Sequence, residues 1–85
     1  MTRLEQETLR AIAAEWRLSG PEHDSGVVLI WQNKAYGWKN RLRDPQSERP
    51  GVYAVDDDGH IFKTEGGNDY DGAETWAAVD IQHGS

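Results

Sequence analysis

Five consecutive apolar residues, Val27-Val28-Leu29-Ile30-Trp31, constrain this chain more than any other feature. The run is rich in β-branched and aromatic side chains, which predicts a strand. Successive side chains of a strand alternate between the two faces of its sheet, so an unbroken apolar run needs cover on both. The strand is therefore expected at the centre of a sheet, covered at least partly by the helix that precedes it. In that helix Leu9, Ile12, Ala13 and Trp16 recur at i, i+3, i+4 and i+7 and form one apolar stripe. Thr2 is placed to cap its start, with Glu5 reaching back to the cap amide, while Glu5 and Glu7 early and Arg17 late suit the helix dipole. Ser19-Gly20-Pro21 ends it, because Gly tolerates a left-handed cap and Pro has no amide hydrogen to continue the ladder.

The period then stays short. Gln32-Asn33-Lys34 predicts a hairpin turn, and Ala35-Tyr36-Gly37-Trp38 alternates small with aromatic as a second strand would. Residues 39–49 are polar, carry Asp44-Pro45 and predict a loop or a short helical turn, followed by a turn at Pro50-Gly51. Val52-Tyr53-Ala54-Val55 and His60-Ile61-Phe62-Lys63 predict two strands joined by Asp56-Asp57-Asp58-Gly59. Residues 65–72 form a Gly- and Asp-rich loop. Thr75, Ala77, Val79 and Ile81 alternate as in a strand, with a short helix capped by Asp71 and Glu74 as the other option. The expected architecture is α+β: one domain over residues 1–85, with a helix over about 2–18 packed on an antiparallel sheet of four to five strands over about 26–81. The sheet is built from two hairpins, residues 82–85 are a frayed tail, and Trp16 and Trp31 are expected to fill the helix–sheet layer.

Composition excludes several function classes. With no cysteine among the 85 residues there is no disulfide framework, no thiolate zinc site and no thiol nucleophile. No apolar run approaches the roughly 18 residues of a membrane helix, and residues 1–5 carry neither the basic nor the apolar segment of a signal peptide. A cytoplasmic protein with no membrane contact is expected. The net charge of −6 is unevenly spread: residues 1–43 hold seven Lys and Arg against five acids, residues 44–85 ten acids against two, so +2 is followed by −8. Such a division gives either acidic turns solvated by water or an acidic face that meets a basic partner.

The constellations that resemble chemistry do not complete themselves. Residues 54–65 place Asp56, Asp58, Gly59, Ile61 and Glu65 at EF-hand spacing, but the first ligand position is Ala54 and the flanks read as strands where that motif needs helices. Gly66-Gly67-Asn68-Asp69-Tyr70-Asp71-Gly72 lacks the Lys and Ser/Thr of a phosphate loop, and its carboxylates repel phosphate. His23, His60 and His83 share no ligand or catalytic spacing. No enzyme activity, catalytic residue, metal or cofactor is expected. The segment Lys34, Tyr36, Trp38, Lys39, Arg41, Arg43 interleaves cations with stackable rings, as single-stranded nucleic-acid surfaces do, although the net charge opposes affinity for a polyanion.

Several stretches carry a resemblance: Gly26-Val27-Val28-Leu29-Ile30-Trp31, Tyr36-Gly37-Trp38-Lys39-Asn40, Glu48-Arg49-Pro50-Gly51, Ala54-Val55-Asp56 and Glu65-Gly66-Gly67-Asn68-Asp69-Tyr70-Asp71-Gly72-Ala73. Over roughly residues 26–80 the chain resembles small accessory proteins of bacterial conjugative plasmids and integrative elements, some labelled antirestriction proteins of the ArdR type. The resemblance implies a mobile-element accessory protein whose partner is a host protein with a basic surface, such as a restriction enzyme. Together with the charge division it makes Asp56, Asp57, Asp58, Glu65, Asp69 and Asp71 the candidate partner-binding residues, their two loops being able to cluster at one end of the sheet. The alternative is a nucleic-acid-associated regulatory module using residues 34–43. The oligomeric state is left open.

Overall fold

The structure, a computed structural model, describes residues 3–20 and 25–79. Helix α1, Arg3–Leu18, turns Leu9 and Ala13 fully inward, with Ile12 and Trp16 partly buried beside them, so the stripe read from the sequence is the packing face. The expected Thr2 cap lies outside the described residues. At the other end the Ser19 amide and hydroxyl both donate to the Trp16 carbonyl and the Gly20 amide to that of Arg17, which satisfies terminal helix acceptors.

Five antiparallel strands follow: β1 Val27–Trp31, β2 Lys34–Lys39, β3 Tyr53–Asp56, β4 Ile61–Glu65 and β5 Thr75–Ala78, in the spatial order β2-β1-β3-β4-β5. The C-terminal segment is thus a strand as far as Ala78; Val79 lies past its end, its amide donating to the Ile61 carbonyl (3.0 Å), and the expected continuation over 80–81 and the frayed residues 82–85 lie outside the described residues. Helix on sheet makes the chain an α+β fold; β1 is an interior strand between β2 and β3, covered on both faces as its apolar run requires, while the middle of the sheet is β3. Val28, Ile30, Val55 and Ile61 meet the helix; Val27, Leu29 and Ala54 point to the opposite face with Phe62 and Trp76. Full burial of side chains such as Ile30 and Ile61 stabilises the fold by about 1.5–3 kcal/mol each.

Two local features decide what the second face displays. The β1–β2 turn has only two residues, Gln32 and Asn33, both at positive φ (51° and 62°), and this mirror-image turn matches the strand twist. Lys34 therefore opens β2 and is not part of the turn. Within the hairpin the register shifts: Leu29 pairs with Gly37 and Ile30 with Ala35, leaving Tyr36 as the extra residue of a bulge. As a result Trp38 packs with the helix-side core, while Tyr36 donates from its hydroxyl to Glu48 on the other face.

Because β3 pairs with β1 and not with β2, the chain leaves one edge of the sheet and must cross β1 to continue. Residues 40–52 make that crossing on the face opposite the helix, with Leu42 packed against Val27, Leu29 and Ala54 and a single 3-10 turn at Pro45–Ser47. Trp31 lies on this second face, in phase with Val27 and Leu29, where Arg49 covers its ring. It does not fill the helix–sheet layer as expected; alternation from Val27 decides its side. Among the described residues no helix is long and apolar enough to cross a membrane.

Candidate binding face

Two connections meet on the second face, the 40–52 crossing and the 66–74 loop between β4 and β5. The Ala73 amide donates to the Glu48 carbonyl (2.8 Å) and the Trp76 indole to the Arg43 carbonyl (3.2 Å). Gly72, at φ 84°, lies so close to the crossing that a Cβ there would run into the Gln46 carbonyl, so no other residue fits without displacing backbone. Buried Thr64 ties the crossing to β4 from beneath: its hydroxyl accepts from the Val52 amide (2.8 Å) and donates to the Arg49 carbonyl (2.7 Å).

The 66–74 loop is locked by one side chain. The Asn68 side-chain oxygen Oδ1 accepts from the amides of Tyr70 and Asp71, each at 2.8 Å, while Asn68 and Gly72 exchange both backbone hydrogen bonds. The turn fixes the backbone of Asp69-Tyr70-Asp71; the Tyr70 side chain stands outward, and the Asp71 carboxylate, also exposed, accepts from the Asn68 side-chain amide (3.3 Å). Tyr70 is 99% exposed. Among the described residues none of Glu65, Asp69, Asp71 and Glu74 is held in an ion pair, and all four are exposed.

Between this tip and the crossing lies an open cleft of about 400 Å³, lined among others by Trp31, Tyr36, Glu48, Arg49, Asp69 and Tyr70. Glu48 organises its floor by accepting from the Tyr36 hydroxyl (2.5 Å), the Ser47 hydroxyl (3.0 Å) and the Lys39 ammonium (3.1 Å). Partial burial, then the bond to Glu48 and its negative charge, hold the Tyr36 hydroxyl well above the ordinary phenol range. Across the cleft the Arg49 guanidinium stands 4.9 Å from the centre of the Trp31 ring, a cation–π contact.

The other acidic group lies elsewhere. Asp56, Asp57 and Asp58 occupy the β3–β4 turn, whereas Glu65, Asp69 and Asp71 follow β4 at its far end, so the whole strand, about 13 Å of chain at 3.3 Å per residue, separates the two sets. The expectation that both loops gather at one end of the sheet is corrected: a hairpin turn and the next connection necessarily leave a strand from opposite ends. At the β3–β4 turn one Asp56 oxygen accepts from the amides of Asp58 (3.0 Å) and His60 (2.8 Å), so Asp56 is structural, and Arg10 clasps the turn through the Gly59 carbonyl (2.7 Å). Asp56, Asp58 and His60 bring potential ligand atoms within 4.8 Å of one another, but turn closure already accounts for that proximity. Asp57 and Asp58 are exposed.

The basic-aromatic segment is not one surface. Trp38 packs toward the helix and donates to the Ser25 carbonyl (2.7 Å), Tyr36 and Lys39 are engaged with Glu48 on the other face, and Arg43 pairs with Asp44 (3.0 Å). Lys34 and Arg41 remain exposed and outside any ion pair among the described residues. Sequence reasoning missed Glu48, Arg49 and Trp31 as parts of a site, since nothing local shows that the crossing lies beside the 66–74 loop. Asn68 at the head of an Asp-Tyr-Asp-Gly run was the available signal for a turn presenting Tyr70.

The chain matches no family model, no curated protein and no solved structure.

Proposed function

We propose that the protein is a non-enzymatic binding protein that engages a basic surface of a host protein through its acidic C-terminal half, with Asp69-Tyr70-Asp71 as the centre of contact. The observation that carries this reading is the tip itself: a fully exposed tyrosine flanked by two carboxylates that are in no ion pair among the described residues, on a backbone fixed by Asn68. A backbone already fixed in a turn loses little further conformational freedom on binding, and tyrosine is enriched among residues that dominate interface energy. Glu65 and Glu74 flank the tip in sequence and add negative charge, which favours a cationic partner and speeds encounter with it.

The resemblance to mobile-element accessory proteins supplies the candidate partner, a cytoplasmic restriction enzyme whose DNA cleft is basic. Duplex DNA carries one charge per ~1.7 Å, so Glu65, Asp69, Asp71 and Glu74 could stand in for about two base pairs. With Asp57 and Asp58 at the other end of β4, the mimicry is a local patch and not a continuous imitation of the duplex. The division of the basic-aromatic segment between two faces weighs against the nucleic-acid alternative.

Binding to a restriction enzyme and to duplex DNA, each measured at low and moderate salt, tests the reading. Enzyme binding should weaken with salt, fall at least tenfold in Asp69→Asn with Asp71→Asn, and change less in Asp57→Asn with Asp58→Asn. Asp56 is left intact because it closes its turn, and Lys39 because it supports Glu48. DNA binding that is tight and is lost on Lys34→Glu with Arg41→Glu overturns the acidic reading.

A further inference from the structure

The cleft behind the tip shows how it could read more than charge. Its aromatic lining, Trp31, Tyr36 and Tyr70, leaves one cation inside, Arg49, and that cation is already placed over an indole face. Glu48 is already engaged by Tyr36, Ser47 and Lys39, which leaves Asp69 as the carboxylate of the lining outside any ion pair among the described residues. Arg49 itself is exposed and is likewise in no ion pair among the described residues; its guanidinium rests on the ring and lies close enough to Tyr36 to act on that phenol through its charge. A cleft of about 400 Å³ is at the small end of ligand sites, yet it accommodates one long side chain between indole, tyrosine and carboxylate.

We propose that the Trp31 cleft seats an arginine side chain of the basic partner, with Arg49 as the resident occupant that it displaces, the incoming guanidinium stacking on the Trp31 ring while it pairs with Asp69. This rests on the reading of the acidic half as a partner-binding face and names the residue type that face selects. Planarity decides for arginine over lysine: a guanidinium stacks on an indole and forks onto a carboxylate at once, whereas an ammonium is a compact, strongly hydrated point charge. Arg49 is displaceable because it is exposed and pairs with no carboxylate among the described residues, whereas the incoming residue gains the ring and the Asp69 carboxylate together.

The test compares two fluorescently labelled nine-residue peptides of equal charge, one carrying four arginines and the other four lysines at the same positions, by anisotropy at fixed salt. The expected result is binding of both, with the arginine peptide about 3- to 10-fold tighter, in line with a partly desolvated cation–π contact. Trp31→Leu should abolish that preference, and Arg49→Gln, an exposed change that leaves the ring in place, should enlarge it. Because Arg49→Gln also removes a positive charge, lysine-peptide affinity serves as the reference for the general electrostatic gain. If the wild type binds both peptides equally, or Arg49→Gln leaves their ratio unchanged, the cleft inference is overturned while the acidic reading stands. If neither peptide binds at low salt, both fall. Should Trp31→Leu fail to fold, Arg49→Gln and Asp69→Asn decide: the latter should weaken the arginine peptide more than the lysine peptide, and equal weakening overturns the proposal.

Discussion

Tyr36 shows how much one inserted residue can change. As the extra position of the β1–β2 bulge it turns away from Trp38 and reaches Glu48, the carboxylate that also holds Lys39 and Ser47. A phenol that donates to a carboxylate while partly desolvated resists ionisation, so its folded-state value lies above the unfolded one. Linkage then has a definite sign: the stability this contact contributes is fully present below the unfolded phenol value, near pH 10, and is lost as pH rises through the higher folded value. The tyrosinate absorbance of the wild type minus that of Tyr36→Phe should therefore show no step between about pH 9 and 11. A step there would mean that the bond to Glu48 does not persist in solution.

The β1–β2 hairpin carries a prediction of its own at the scale of elements. Its turn needs positive φ at both central residues, which Asn33 tolerates but Gln32 adopts at a steric cost. Gln32→Gly should remove that cost and, after the entropy that glycine adds to the unfolded chain, raise stability by about 0.5–1 kcal/mol in urea melts without changing the m-value. Loss of stability instead would show that the Gln32 side chain makes contacts outweighing its backbone strain. The 66–74 loop is the opposite case, since Gly72 already meets the demand for a close approach to the Gln46 carbonyl and leaves no room for improvement.

At the scale of the molecule, the described acids of residues 44–85 are largely exposed, most of them in the connections at opposite ends of β4, and among the described residues Glu48 pairs with Lys39 and Asp44 with Arg43. Self-repulsion of this kind is screened when the Debye length falls from about 30 Å at 0.01 M to about 8 Å at 0.15 M salt. The Tm should rise over that range, and less so in Asp69→Asn with Asp71→Asn. A fall in Tm with salt would place the balance instead with the attractive pairs at Glu48 and Asp44. The same screening weakens capture of a basic partner, so salt should stabilise the protein while loosening its complex.

The helix stripe, the interior apolar strand, the hairpins and the acidic turns were legible in the chain because each depends on residues within one or two turns or strand lengths of each other. Leu9 and Trp16 lie on one helix face by spacing alone, and Asp56-Asp57-Asp58-Gly59 is a turn wherever it sits. The candidate site depends on what local pattern does not contain. The pairing of β3 with β1 forces residues 40–52 across the second face, and the bulge at Tyr36 aims its ring there. Only those two choices bring Trp31, Glu48 and Arg49 beside Asp69 and Tyr70. Strand order and register are settled by competition among long-range pairings for the same buried apolar faces. Sequence alone determined the elements and the sign of the charge; tertiary structure decided which residues share a cleft.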